Sequence, residues 1–277
     1  MQNSRIRQDF HMHCRFSTDS QAAPEAMCDA AIARGLTEIC FTDHQDMGFD
    51  DPGWFRFDPE PYFRTLEEVK RAYAGTLKVR IGMEIGLVPD NPKLAREAER
   101  LAKDYPWEYI IGSTHVIPVR IHGRTLLVDP ADPGEVHRSW YHFGTVKDLM
   151  SVYFDTVLKN LEQFDFYDTV GHIDYMSRYM PKELVPYRYE DHREQIDRIL
   201  KAAVEKGIAI EVNTGGLYKG MGNTNPEDRI IRRYLELGGK RLTYGSDAHS
   251  PEHVGYGFAS LPDYGAMLLH RQEDRQG

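Results

Sequence analysis

The amino-acid sequence predicts an α/β fold with parallel strands whose ends gather polar side chains on one face. Short apolar runs alternate with helix-patterned stretches from one end of the 277 residues to the other. Every strand-like run ends on or beside a histidine or carboxylate. No Gly/Ser-rich linker and no internal repeat divides the chain, so a single domain spanning 1–277 is expected, a length usual for α/β barrels. Alternation of this kind implies right-handed crossovers between parallel strands; a closed barrel and an open doubly wound sheet both satisfy it.

The strand-like runs are 6–10, 38–42, 78–84, 109–113, 169–171, 208–212 and 242–245. Pro24 opens the first helix and Gly35 stands just past its end, the expected start and stop residues. Further helices are predicted over 60–73, 93–103, 146–164, 189–206 and 227–237, where Ala, Leu, Glu, Lys and Arg recur at helical spacing. Two segments break the rhythm, 116–141 and 173–188. Both follow strand ends and are rich in Pro, Arg, His and aromatics, so they are expected as loop insertions that shape a pocket.

Composition narrows the function classes. Hydrophobic residues at 41% and charged residues at 28% are ordinary for a globular chain and exclude disorder as the main state. The 43 acidic residues exceed the 34 basic ones, a formal charge of -9, which argues against broad electrostatic binding to nucleic acid. A small anionic substrate needs only a local positive site, which bound cations would supply. Cys14, Cys28 and Cys40 form no CxxC pair and no disulfide framework. Neither a signal-peptide run nor a membrane-length apolar stretch is present, so a cytoplasmic protein without a membrane partner is expected; the oligomeric state is left open.

The chemistry lies in the strand ends. They read Asp9-Phe10-His11-Met12-His13 with Ser17 and Asp19, then Thr42-Asp43-His44, Glu84, Gly112-Ser113-Thr114-His115, Gly171-His172-Ile173-Asp174, Glu211-Val212-Asn213 and Gly245-Ser246-Asp247-Ala248-His249. His11 and His13 are two apart on extended backbone, so both point to one side, as a chelating pair must; Asp247 and His249 repeat that spacing. Imidazole mixed with carboxylate suits Zn, Mn or Fe better than Ca or Mg. Gly82, Gly86, Gly112, Gly171 and Gly245 let backbone approach a crowded centre. Taken singly, each residue has an ordinary explanation: a surface His-x-His, a paired buried carboxylate at Glu84, core histidines at His115 and His172, a helix cap at Asp247. Together at one end of one sheet they make a metal site.

These motifs resemble the PHP (polymerase and histidinol phosphatase) family over residues 9 to about 258. Gly-Ser-x-His at 112–115, Gly-His-Ile-Asp at 171–174, Glu-x-Asn-Thr at 211–214 and Gly-Ser-Asp-Ala-His at 245–249 resemble its histidinol-phosphatase branch. The resemblance implies a distorted (β/α)7 barrel with up to three divalent ions at the carboxyl ends of the strands. One ion is then held by His11, His13, Glu84 and Asp247, a second by Asp19, His44 and His249, and a third by Glu84, His115 and His172. It implies hydrolysis of a small phosphorylated substrate, histidinol phosphate, by a metal-bridging hydroxide. The alternatives are another phosphoester (a nucleotide, sugar phosphate or phosphotyrosine) or an amide.

For the remaining roles, Asp19 and Asp43 are the candidate proton donors. Arg178 matches a phosphate-binding arginine of the branch, and Arg15 and Asn213 are candidate substrate contacts. Asn213-Thr214-Gly215-Gly216-Leu217-Tyr218-Lys219 departs from the branch's Asn-Thr-Ser-Gly-x-Arg, so Lys219 stands in for an arginine without its bidentate fork. Glu211 and Asn213 are expected to orient a ligand histidine or to touch substrate. His122, His137, His142, His192, His253 and His270 are expected at the surface or in a pocket wall, and Cys14 is expected to pack.

Overall fold

A computed structural model describes residues 6–49, 54–121, 123–132, 145–179 and 187–265. Strand β1 (Gln8–Met12) leads into helix α1 (Pro24–Ala33), which Pro24 opens as expected. β2 (Glu38–Phe41) breaks at Thr42 and Asp43 and resumes as β3 (His44–Asp46); both pieces pair with the long β4 (Lys78–Gly86). Helix α2 (Pro59–Ala72) lies between them, its first turn capped by Asp58, whose carboxylate accepts from the Glu60 amide. α3 (Pro92–Asp104) is capped by Asn91 and delivers the chain to β5 (Tyr109–Ser113).

Residues 117–128, expected within a loop, form an antiparallel hairpin, β6 (Ile117–Ile121) and β7 (Arg124–Val128), with Ile117 opposite Val128. Its turn runs through Gly123, whose φ of 79° is the left-handed region that glycine enters at little cost. The rest of that insertion, residues 122 and 133–141, lies outside the described residues, as do 180–186 of the second; the histidine expectations at 122, 137, 142 and 270 fall there too. α4 (Val146–Gln163) precedes β8 (Thr169–Val170), and α5 (Tyr189–Lys206) precedes β9 (Ala209–Asn213). One short turn, α6 (Gly215–Tyr218), and α7 (Asp228–Glu236) lead to β10 (Leu242–Gly245).

The strands lie side by side in the order β1-β2-β4-β5-β8-β9-β10, all parallel. The sheet curls until its ends nearly meet: the His13 amide donates to Ala248 O at 2.8 Å, and the Asp247 amide to His11 O at 2.8 Å. Of the two architectures that alternation allowed, the barrel is the one formed. Two apolar layers hold it between sheet and helices. Ile85, Ile110, Leu161, Ile196, Leu200, Ile210 and Ile231 pack on one side, and Met27, Ile39, Phe41, Tyr62, Leu66 and Ile81 on the other. Strands covered in this way read as continuous apolar runs, which is why they were legible.

Candidate metal centre

Strand alternation aims the first pair. On β1, His11 faces the cluster, while Met12 turns the other way into the core with Met27 and Phe41; a register shift against β2 between Asp9 and Met12 leaves Asp9 bonded to Ser246 and Gly255 instead. β1 starts two residues later than the periodicity predicts, so His11 sits on the strand and His13 just past it. Register then brings Glu84 opposite His44 on β3. His115 and His172 each stand two residues beyond β5 and β8, and Asp247 and His249 follow β10. Asp247 has φ of 56°, a sparsely populated conformation for a residue with a side chain and one that clusters at functional sites.

Glu84 is the hub. Its Oε2 lies 3.1 Å from His11 Nε2, 3.3 Å from His44 Nδ1 and 3.5 Å from His13 Nε2. Its Oε1 lies 2.7 Å from His172 Nε2 and 3.1 Å from His115 Nε2, and accepts from Ser113 Oγ at 2.7 Å. Asp247 Oδ1 faces His249 Nδ1 at 3.6 Å and His13 Nε2 at 3.8 Å. Asp19 Oδ2 reaches His249 Nε2 at 3.0 Å and His44 Nε2 at 3.8 Å. The rings of His13 and His249 stack with centroids 4.1 Å apart. All nine proposed ligands therefore converge.

The donor chemistry fits divalent ions. His11 Nδ1 lies 2.6 Å from Glu211 Oε1 and His115 Nδ1 lies 2.8 Å from Asp46 Oδ2. A carboxylate there accepts Nδ1–H, which leaves the Nε2 lone pair free and pointing inward. Inward lone pairs then crowd one another: His11 Nε2 is 3.1 Å from His13 Nε2, and His115 Nε2 is 3.5 Å from His172 Nε2. A cation held between them would turn that repulsion into coordination. Around the imidazoles stand Asp19, Asp46, Glu84, Glu211 and Asp247, answered among the described residues by the basic side chains Arg178 and Lys219. Buried negative charge in such excess calls for counter-charge. Burial alone would raise the Glu84 carboxyl, but His11, His115 and His44 hold it well below the carboxylate range. Burial, then the neighbouring His249, His44 and His11, push His13 well down, toward the neutral form that binds metal.

The candidate substrate contacts divide. Arg178 is buried: Nη1 meets Asp247 Oδ2 at 2.8 Å, Nε donates to Asn225 Oδ1 at 2.6 Å and Nη2 to Asn213 Oδ1 at 3.0 Å. Lys219 Nζ reaches the same Asp247 oxygen at 3.1 Å. Arg15 stays outside, with a side chain 47% exposed and Nη1 3.9 Å from Glu25. Asp43, the other candidate proton donor, is engaged by a turn. It accepts from the Cys14 amide at 2.8 Å, the Ser17 amide at 3.0 Å and Ser17 Oγ at 2.9 Å, and Cys14 Sγ donates to it at 3.2 Å. Its oxygens are committed to the 14–17 turn, which carries His13 toward Asp19. Asp19 does face the cluster; burial would raise it, but its hydrogen bond to His249 and the charges of His249 and His44 hold it below the ordinary carboxylate value.

Some residues escaped the sequence reading. Asp46 was missed, although His44 and Asp46 repeat the two-apart spacing of His11 and His13. Asn225, joined by backbone hydrogen bonds to Asn213, had no local signal. Phe55 and Tyr175 set aromatic edges beside the cluster, at ring centroids 5.2 Å from His44 and 4.8 Å from His172. His192, expected at the surface or a pocket wall, is buried between α4 and α5, 5.3 Å from the Phe154 ring. Gly245 is obligatory: a Cβ there would lie 2.4 Å from His11 Cβ and 2.4 Å from Glu211 Oε1.

The model of the PHP domain matches residues 9–215. The chain belongs to the PHP domain family. Among PHP relatives, a protein of Clostridium acetobutylicum named a probable histidinol-phosphatase is 31% identical over 252 residues, covering 90% of this chain and 89% of its own length. The histidinol-phosphatase of Lactococcus lactis subsp. lactis is 28% identical over 243 residues, 87% of this chain and 83% of that one. The crystal structure of the Lactococcus lactis histidinol phosphate phosphatase, complexed with zinc, L-histidinol and phosphate, superposes with a TM-score of 0.75 at 25% identity, covering 96% of this chain and 91% of that one. The PHP barrel is thus the fold on which the strand-end cluster is mounted.

Proposed function

We propose that the chain is a metal-dependent phosphomonoesterase that hydrolyses L-histidinol phosphate to L-histidinol and phosphate. The observation that carries this reading is the convergence of His11, His13, Asp19, His44, Glu84, His115, His172, Asp247 and His249 beside two cations, Arg178 and Lys219. The similar Lactococcus lactis phosphatase, complexed with zinc, L-histidinol and phosphate, supports the choice of substrate. In this reading one ion takes His11, His13, Glu84 and Asp247, a second Asp19, His44 and His249, and a third Glu84, His115 and His172. Bound divalent ions supply Lewis acidity toward the phosphoryl group and a water nucleophile near neutral pH.

The protein's own residues do the rest. Arg178 commits three of its N–H groups to Asp247, Asn225 and Asn213, which leaves one on each terminal nitrogen for phosphoryl oxygens. Lys219 adds a point charge where a second arginine would give a fork. Both cations meet Asp247 at Oδ2, so Oδ1 stays turned to the histidines. We assign the exchange with the leaving alcohol to Asp19, which faces the cluster while Asp43 is occupied by the 14–17 turn; in the same reading Asp19 and His249, 3.0 Å apart, hold the second ion. Buried free thiols at Cys14, Cys28 and Cys40 suit a reducing cytoplasm, and no helix among the described residues is long and apolar enough to cross a membrane.

Phosphate release from a panel of monoesters, with zinc, manganese or iron supplied, tests this. Histidinol phosphate is expected to give the highest kcat/KM; a nucleotide, sugar phosphate or phosphotyrosine ahead of it would displace the substrate assignment. Glu84→Gln is expected to abolish turnover and release metal, and full activity in that variant would overturn the centre.

A further inference from the structure

Glu211 lies at the base of the cluster and belongs to none of the three ligand sets. It is buried on β9, and both its oxygens are used. Oε1 meets His11 Nδ1 at 2.6 Å, and Oε2 accepts from the His172 backbone amide at 2.8 Å. One carboxylate thus ties the end of β1 to the end of β8, strands that are not neighbours in the sheet. The two residues that it holds serve different proposed ions: His11 the first, His172 the third. Asp46 stands in a complementary place. Its Oδ2 lies 2.8 Å from His115 Nδ1 and 3.6 Å from His44 Nδ1, residues of the third and second sets. Its Oδ1 is buried without a hydrogen-bond partner.

We infer that Glu211 is a positioning residue that makes the first and third ion positions fill together, while Asp46 couples the third to the second. The inference rests on the metal-centre reading above and goes further by assigning the coupling to two carboxylates outside the three ligand sets. Its chemistry is specific. All three partners of Glu211 present N–H: Asn213 Nδ2 donates to Oε1 at 3.3 Å, a backbone amide has no other choice, and His11 must keep its proton on Nδ1 for Nε2 to bind metal. A carboxylate accepts all three. A glutamine offers one acceptor and one donor, so it must abandon the His172 amide or present its own N–H to His11 Nδ1. The second arrangement forces the proton onto Nε2, the atom meant for the ion. Shape is kept, but the tautomer is not.

The test is metal occupancy by anomalous scattering in crystals grown with excess zinc, with bound metal per protein measured by elemental analysis in solution. In Glu211→Gln, affinity at the first and third positions is expected to fall by roughly 10–100-fold, the range typical of lost outer partners of metal ligands, while the Asp19, His44 and His249 position keeps its ion. In Asp46→Asn the third and second positions are expected to weaken and the first to stay filled. Thermal unfolding in chelator separates this from a folding defect, since both apo variants should melt near the apo parent. Equal loss at all three positions, the same pattern in both variants, or unchanged occupancy in Glu211→Gln would overturn the inference. If the parent protein itself takes up no ion, the metal-centre reading fails instead.

Discussion

At the scale of single residues, the cluster depends on which oxygen or nitrogen is already spoken for. Asp43 and Asp19 were indistinguishable as sequence, two aspartates near histidines; hydrogen bonds separate them. Because Asp43 satisfies four donors of the 14–17 turn, Asp43→Asn is expected to destabilise the fold by about 1–3 kcal/mol, the cost of leaving buried donors unmatched. The pH–rate profile of that variant should keep both limbs; loss of the limb that reports the general acid would return Asp43 to catalysis. Lys219→Ala is expected to raise KM for a phosphomonoester roughly tenfold, about 1.4 kcal/mol, with a smaller change in kcat. Unchanged KM would confine Lys219 to neutralising Asp247. The ligand types were legible because each sits at the end of an apolar run. Asp46 and Asn225 were not, since they matter through partners 69 and 47 residues away.

At the scale of elements, the strands and most helices could be read from periodicity, whereas the β2 break and the β6–β7 hairpin could not. The break at Thr42 and Asp43 is imposed by tertiary partners: Thr42 donates its amide to Met12 O, and Asp43 O accepts from the Glu84 amide. On β6, Ile117 and Val119 are buried while Pro118 is half-buried and Arg120 exposed, an alternation that proline, arginine and histidine had disguised as a loop. Glu227, the N-cap residue of α7, is held beside Asp174 and largely buried; burial and that neighbour push its carboxyl up to about 7. A carboxyl raised in the folded state favours folding below its unfolded value near 4.5, and that contribution is lost as pH climbs through about 7. Glu227→Gln is therefore expected to match the parent near pH 4 and exceed it by roughly 1 kcal/mol at pH 8 in denaturant titrations. A variant less stable than the parent at pH 8 would contradict the sign.

At the scale of the whole molecule, the barrel concentrates acidic side chains at one rim, and a fold of that kind draws stability from the ions it binds. Chelator is expected to lower Tm, and zinc or manganese to restore it in proportion to the logarithm of free metal; a melting curve indifferent to both would argue against a built-in centre. A parallel α/β sheet with polar strand ends was foreseeable from alternation and strand-end chemistry. Its closure into a barrel followed only from the resemblance to the family, because backbone hydrogen bonds between the exits of β1 and β10 join the seam, where no periodicity records them. That seam has a consequence for the chain during synthesis. His11 and His13 leave the ribosome more than two hundred residues before Asp247 and His249, so a nascent polypeptide carries half-built chelating groups for most of translation. A barrel of this design completes its strand-end cluster last of all.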